Sequence, residues 1–190
     1  MTKQELRKTY LEKRRNLSQT ELNLRSRLIC ANFFSRFNLE FVRFIHVFLP
    51  IAKQNEPDTW LIIEKIRLEY PTTKILVPRV KTLSNNLEHV ELHNSSSLSE
   101  NRLGIKEPEL GEIRQPDEVD MVLVPLLTFD LNGHRVGYGK GFYDRFLAEC
   151  RPDTLKIGVS LFDGVLKIDD INSHDQPIHH CITPQEVVSF

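Results

Sequence analysis

Four apolar residues stand without interruption at Met121-Val122-Leu123-Val124, between Asp120 and Pro125. A strand with one wet face alternates polar and apolar positions, whereas a run without alternation belongs to a strand covered on both faces. A chain that contains such a strand needs a layer above it and a layer below it. Neighbouring segments can supply both. Arg43 to Leu49 reads as a strand ended by Pro50, Asp58 to Tyr70 as a helix stopped by Pro71, and Lys74 to Pro78 as a second buried strand. Leu87 to Leu92 alternates as a strand, the serine-rich stretch from His93 to Asn101 reads as a surface loop, Phe142 to Cys150 as a helix and Leu155 to Leu161 as a strand. Strands alternating with helices imply an α/β fold, a three-layer sandwich with a largely parallel central sheet, Rossmann-like, preceded by N-terminal helices. No repeat, low-complexity tract or linker divides the chain, so residues 1–190 are expected to form one domain.

The N-terminal helices are marked by their starts. Thr2 with Glu5 and Ser18 with Glu21 both fit the S/T-x-x-E capping box, which predicts two helices with a break near Asn16-Leu17. Residues 1–36 carry a surplus of +6, while the whole chain has a formal charge of -1, so the remaining residues sum to -7. That near-neutral total excludes a protein that coats nucleic acid or anionic membrane by bulk charge. Lys3 and Arg7 lie four apart and therefore on one helix face. Two cations at a helix N-terminus oppose the helix dipole, which suggests that an anion is expected beside them. No signal peptide opens the sequence and no run approaches the roughly 20 apolar residues of a membrane span, so a cytoplasmic protein with no membrane partner is expected. The three cysteines, Cys30, Cys150 and Cys181, are far apart and lack metal or redox spacing, so they read as reduced, mostly buried thiols. His46 reads as a core or edge histidine rather than a base.

In open parallel sheets ligands bind beyond the carboxyl ends of the strands, which directs attention to the segment after Val124. Three of the eight glycines of the chain fall at 137, 139 and 141, just before the helix that starts at Phe142. Alternate residues without a Cβ let backbone N–H groups approach a ligand, and the first N–H groups of the following helix point the same way. Arg135 and Lys140 add full charges. This combination describes a polyphosphate cradle. It is not a Walker A loop, since Gly141 rather than Ser or Thr follows Lys140, and it lacks the third glycine of a dinucleotide fingerprint. Asp144, just inside the helix, is placed either to hold Mg2+ on bound phosphates or to complement the helix dipole.

The string Phe129-Asp130 followed by Gly133-x-Arg135-x-Gly137-Tyr138-Gly139-x-Gly141-x-Tyr143-Asp144-Arg145 resembles the signature of the 5-formyltetrahydrofolate cyclo-ligase family. Lys3-Gln4-x-Leu6-Arg7, Glu56-x-Asp58-Thr59, Val77-Pro78-Arg79, Gly104-Ile105-x-Glu107-Pro108 and His174-Asp175 with Thr183 agree with it in order along the chain. The resemblance implies an enzyme that uses ATP and Mg2+ to convert 5-formyltetrahydrofolate to 5,10-methenyltetrahydrofolate. It implies that Lys3, Gln4, Glu5, Leu6 and Arg7 contact ATP, with Arg7 also near the folate. The loop Arg135, Val136, Gly137, Tyr138, Gly139, Lys140, Gly141, Phe142 and Tyr143 would cradle the triphosphate, its part from Tyr138 to Phe142 also touching the pterin side. Glu56 would hydrogen-bond the pterin ring with Leu49 beside it, and Asp144 and Asp175 would hold the metal. Lys140, Arg135 and Tyr143 are the residues expected to act in catalysis.

The implied chemistry suits these residue types. A formamide is a poor electrophile, so transfer of the ATP γ-phosphoryl group to the formyl oxygen would activate it for attack by N10, and no protein nucleophile is needed. The partners expected are these two small molecules alone, bound by a monomer, with no nucleic acid. Two other readings remain open from the residues: a different ATP-dependent phosphoryl transferase on the same loop, and a nucleic-acid-binding helical pair at the N-terminus attached to a ligand-sensing domain. The basic segment has few interleaved aromatics and no helix-turn-helix glycine, which counts against the second.

Overall fold

The computed structural model describes residues 1–81, 86–102 and 104–190. It begins with two helices, α1 (Lys3–Arg15) and α2 (Gln19–Arg36), each opened by its capping box. Thr2 and Ser18 accept from the backbone of Glu5 and Glu21, whose carboxylates accept in return from the backbone of Thr2 and Ser18. Asn16 ends the first helix at the expected break. Strand β1 (Phe44–His46), helix α3 (Trp60–Glu69), β2 (Lys74–Val80) and β3 (Leu87–Glu91) follow. Then come β4 (Leu98–Glu100), β5 (Lys106–Pro108), β6 (Ile113–Arg114), β7 (Met121–Pro125), β8 (Thr128–Phe129), β9 (Arg135–Val136), α4 (Phe142–Glu149), β10 (Leu155–Val159), β11 (His180–Ile182) and β12 (Val187–Ser189).

Eight strands form one sheet in the order β12-β11-β10-β7-β1-β2-β3-β6. The five from β11 to β2 are mutually parallel, with Ile45 opposite both Ile75 and Met121, while β12, β3 and β6 pair antiparallel at the edges. From β1 the chain moves outward through β2 to one side, and from β7 through β10 and β11 to the other. The order therefore reverses between β1 and β7, and a crevice opens at the carboxyl ends of those two strands. The uninterrupted run of β7 is covered on both faces as its sequence requires. Met121 and Leu123 face a cluster with Ile29 and Phe33 of α2 and Ile62, Ile63 and Ile66 of α3, whereas Val122 and Val124 face Phe146 and Leu147 of α4. Among the described residues no helix is long and apolar enough to cross a membrane.

The segment from His93 to Asn101, expected as a loop, contributes β4 to a two-stranded ribbon with β5. Gly104, at φ 78, allows the reversal that pairs Ser99 with Glu107, and a single-sequence reading of serines misses a ribbon held by a distant partner strand. Cys181 is buried, and Cys30 and Cys150 are partly buried, all as free thiols.

His46 lies in the core, as expected, with its ring 5.1 Å from that of His89 and both against Phe146. Among the described residues neither nitrogen of His46 nor Nδ1 of His89 finds a hydrogen-bond partner. Burial holds His46 well below its usual range and pulls His89 from 6.5 to about 4. Unfolded chains bind a proton at this position below pH 6.5, while the fold resists it until about pH 4, so the contribution to stability present above 6.5 is lost as pH falls through that window. The expected loss from His89 alone is about 3 kcal/mol. Urea unfolding at neutral pH and near pH 4 should show a smaller difference in His89→Leu than in the wild type; equal differences would remove His89 as the cause.

Candidate active site

A cavity of about 430 Å3 occupies the crevice beyond β1 and β7. Phe48 and Leu49 after β1, Pro78 and Val80 of β2, and Pro125 at the end of β7 form its floor, and Leu87, Ile105 and Glu107 extend one wall. Strand ends converge here because a twisted parallel sheet with its order reversed leaves a gap that no crossover helix fills.

The glycine loop forms the opposite wall. After β7 the chain makes a tight hairpin, β8 with β9, that turns at Gly133 and returns Arg135 beneath the loop. Arg135 is buried; Nη2 donates to Asp144 Oδ1 at 2.7 Å and Nη1 donates to the carbonyl of Gln176. Burial works to lower its pKa and the Asp144 and Asp175 carboxylates oppose that. Gly139 has φ +87, and a Cβ there would stand 3.2 Å from the Arg7 guanidinium, so only glycine accommodates both the turn and the arginine above it. Gly141, also left-handed, is the N-cap of α4, so the free N–H groups of that helix start at the cavity.

Helix α1 closes the site from outside the sheet. Leu6 and Tyr10 bury themselves with Leu127, Val136 and Ile168, which anchors the helix by roughly 2 kcal/mol for each large side chain. The adjoining stripe carries the cations: Arg7 Nε donates to Gly137 O at 2.8 Å, and Lys3 Nζ pairs with Asp175. Burial would raise the Asp175 pKa, but the Lys3 hydrogen bond and the Asn172 N–H outweigh it and hold the carboxyl below its usual range.

The far end of the cavity is held by a buried polar chain. Tyr138 Oη donates to Glu56 Oε1 at 2.6 Å, the Ile51 N–H donates to Glu56 Oε2 at 2.8 Å, and Arg14 Nη1 donates to Tyr138 Oη at 2.8 Å. Burial raises the Glu56 pKa, and Arg14, Tyr138 and Ile51 counter it. Burial likewise raises the Tyr138 and Tyr143 hydroxyls well above their usual range, so both remain protonated. The Tyr143 hydroxyl has no hydrogen-bond partner among the described residues.

Of the sequence-predicted residues, Lys3, Arg7, Leu49, Glu56, Arg135, Asp175 and the whole stretch from Gly137 to Asp144 line this one cavity. Gln4, Glu5, Leu6 and Val136 do not. Gln4 and Glu5 are exposed, Glu5 serving the capping box, while Leu6 and Val136 lie in the core beneath α1. Residues at the cavity to which the sequence assigns no role include Gln54 and Glu107, and it assigns none to Arg14, which bonds Tyr138 at the cavity's far end. Arg14 had a signal: at 100° per residue, positions 3, 7 and 14 fall within about 40° on a helix. Asp144 and Asp175 are the carboxylates available to a cation; among the described residues no group of three or more metal-type side chains occurs. Two carboxylates beside a glycine-rich loop and a helix start are a donor set that could hold Mg2+, an ion that keeps several waters and needs few protein ligands.

Fold and cleft together define an α/β protein with a cleft at the switch point of a mostly parallel sheet, lined by cations of α1 and the glycine loop at one end and by the buried Glu56 carboxylate at the other. The chain matches the model of the 5-formyltetrahydrofolate cyclo-ligase family over residues 1–184. It is 26% identical over 197 residues to the 5-formyltetrahydrofolate cyclo-ligase of Mus musculus, covering 92% of this chain and 95% of the mouse protein. To the enzyme of that name from Escherichia coli K12 it is 31% identical over 141 residues, covering 72% and 76%. The NMR structure of 5,10-methenyltetrahydrofolate synthetase from Aquifex aeolicus superposes with a TM-score of 0.79 at 31% identity, covering 100% of this chain and 93% of that one. This chain belongs to the 5-formyltetrahydrofolate cyclo-ligase family, a family of ATP-dependent ligases.

Proposed function

We propose that this protein, acting as a single-domain monomer, closes 5-formyltetrahydrofolate to 5,10-methenyltetrahydrofolate and releases ADP and phosphate. The observation that carries the proposal is the shared cavity, in which cations from α1 and the glycine loop stand next to a buried carboxylate able to read N–H donors. Nucleotide phosphates lie along Gly137 to Gly141, against Lys3, Arg7 and Lys140. The pterin ring enters between Leu49 and Phe142 and donates to Glu56, whose two oxygens are already oriented by Tyr138 and Ile51.

With both substrates held, the formyl oxygen attacks the γ-phosphorus and ADP leaves. N10 then bonds to the activated formyl carbon and loses its proton, and the C–O bond breaks to release phosphate carrying the formyl oxygen. The developing negative charge on the transferred group is met by Lys140, by the N–H groups opening α4 and by the Arg135 guanidinium where it lines the cavity; fixed donors of this kind act most strongly at the transition state. Asp144 and Asp175 would hold Mg2+, which when bound would supply neutralisation of phosphate charge. Tyr143 stays protonated and can donate to an oxygen of the bound substrates. Gln4, Glu5, Leu6 and Val136 support the nucleotide site through the helix and hairpin they stabilise.

The purified protein should generate the absorbance of methenyltetrahydrofolate when given 5-formyltetrahydrofolate, ATP and Mg2+, and should release ADP in equal amount. Omission of either ATP or Mg2+ should abolish the signal. ADP release without folate would instead favour another phosphoryl transfer.

A further inference from the structure

Arg14 is 1% exposed, the largest fully buried side chain of the protein, and a charged one. Its Nη2 donates to the carbonyl of Leu126 at 2.5 Å and its Nη1 to Tyr138 Oη, while its own carbonyl accepts from Asn55 Nδ2 at 2.8 Å. The guanidinium stands 3.9 Å from Glu56 Oε1, and among the described residues its Nε finds no hydrogen-bond partner. Burying a guanidinium with one N–H unsatisfied is a costly way to fill a core. The same helix carries Lys3 and Arg7 on the same stripe, with Arg7 bonded to Gly137 one residue before Tyr138. Helix α1 is thus a rigid rod whose first turns touch the glycine loop and whose last turn holds the Glu56–Tyr138 pair.

We infer that Arg14 is a positioning residue that couples the two halves of the site: nucleotide phosphates fix α1 through Lys3 and Arg7, and Arg14 transmits that placement to Glu56 and Tyr138, so that bound nucleotide tightens binding of the ring substrate. The inference rests on the assignment of the two substrates given above. It needs no conformational change larger than a small shift of α1, because the buried chain from Arg14 through Tyr138 to Glu56 is continuous. Coupling of this kind is reciprocal, so the ring substrate must tighten nucleotide binding by the same factor. Arg14 also compensates the buried Glu56 carboxylate, whose charged form burial disfavours.

The test uses the full chain with a non-hydrolysable ATP analogue, Mg2+ and 5-formyltetrahydrofolate, binding being measured by calorimetry for each ligand alone and in the presence of the other. In the wild type each should tighten the other several-fold. Arg14→Lys retains the charge but not the two-pronged geometry, and should reduce the coupling factor to near one while changing affinity for the analogue alone by less than about threefold. Arg14→Gln should in addition move the acid limit of folate binding to higher pH, because Glu56 loses the cation that opposes its protonation; a merely structural role would leave that limit where it is. Should Arg14→Gln fail to fold, Arg14→Lys alone decides. Unchanged coupling in a folded variant, or equal weakening of the analogue with and without folate, would overturn the inference. If the wild type bound no folate at all, the functional assignment would fail first, and the outcomes are distinguishable on that ground.

Discussion

Lys140→Ala should lower kcat by about 10²- to 10³-fold, the usual loss when one fixed charge or donor aimed at the transition state is removed. Its side chain is exposed at the tip of the glycine loop and lines the cavity. Among the described residues no ion pair or hydrogen bond of the Lys140 ammonium holds the fold together, so thermal unfolding should move by no more than the effect of an ordinary surface substitution, within about 0.5 kcal/mol. Steady-state kinetics and calorimetry on the same preparation check both halves. Near-normal turnover would remove Lys140 from the phosphoryl-transfer step and shift the charge neutralisation to Arg7 and Arg135.

Asp144→Ala should differ from Lys140→Ala by damaging both activity and stability. Asp144 is the ion-pair partner of Arg135, whose side chain is 6% exposed against 33% for Asp144. Removing one member of a buried pair leaves an uncompensated charge and costs about 3 to 5 kcal/mol; solvent reaching Asp144 reduces that to about 2 kcal/mol here. For a chain of this length the melting temperature should fall by about 4 to 8 °C. Turnover should drop by at least ~10²-fold, because the same carboxylate is one of the two proposed to hold Mg2+. Asp144→Asn separates the roles: it can still accept from Arg135, so it should recover part of the stability and little of the activity. A variant that melts like the wild type would show that Gln176 and Asp175 suffice to hold Arg135.

The two variants illustrate which parts of the site sequence could supply. Lys140 and Asp144 sit in a local pattern of glycines, cations and a helix start that is complete within a dozen residues, so their candidacy could be read from spacing alone. The capping boxes at Thr2 and Ser18 were legible for the same reason, since the partner of each cap lies three residues away. The ribbon of β4 with β5 was not legible, because Leu98 to Glu100 carry little strand preference and are held by pairing with a separate strand. Arg14 was hidden among neighbouring charges. Lys13 and Arg15 beside it are exposed, and nothing in residue type distinguishes the one that turns inward.

Local order is what the sequence by itself determined: the doubly covered run of β7, the helices that flank it, the cradle of Gly137 to Gly141 and the cationic stripe of α1. These depend on periodicity and on backbone preferences that act over a few residues. Only the tertiary structure decided that the stripe and the cradle meet, by the bond from Arg7 to Gly137 across 130 residues of chain. It also decided that Glu56, 82 residues before Tyr138, shares a proton-ordered chain with it and with Arg14. The reversal of strand order between β1 and β7 brings those segments to one crevice, and the burial of Leu6 and Tyr10 fixes the helix that closes it. Contacts so distant in sequence arise from packing free energy summed over the whole core, which no short pattern encodes.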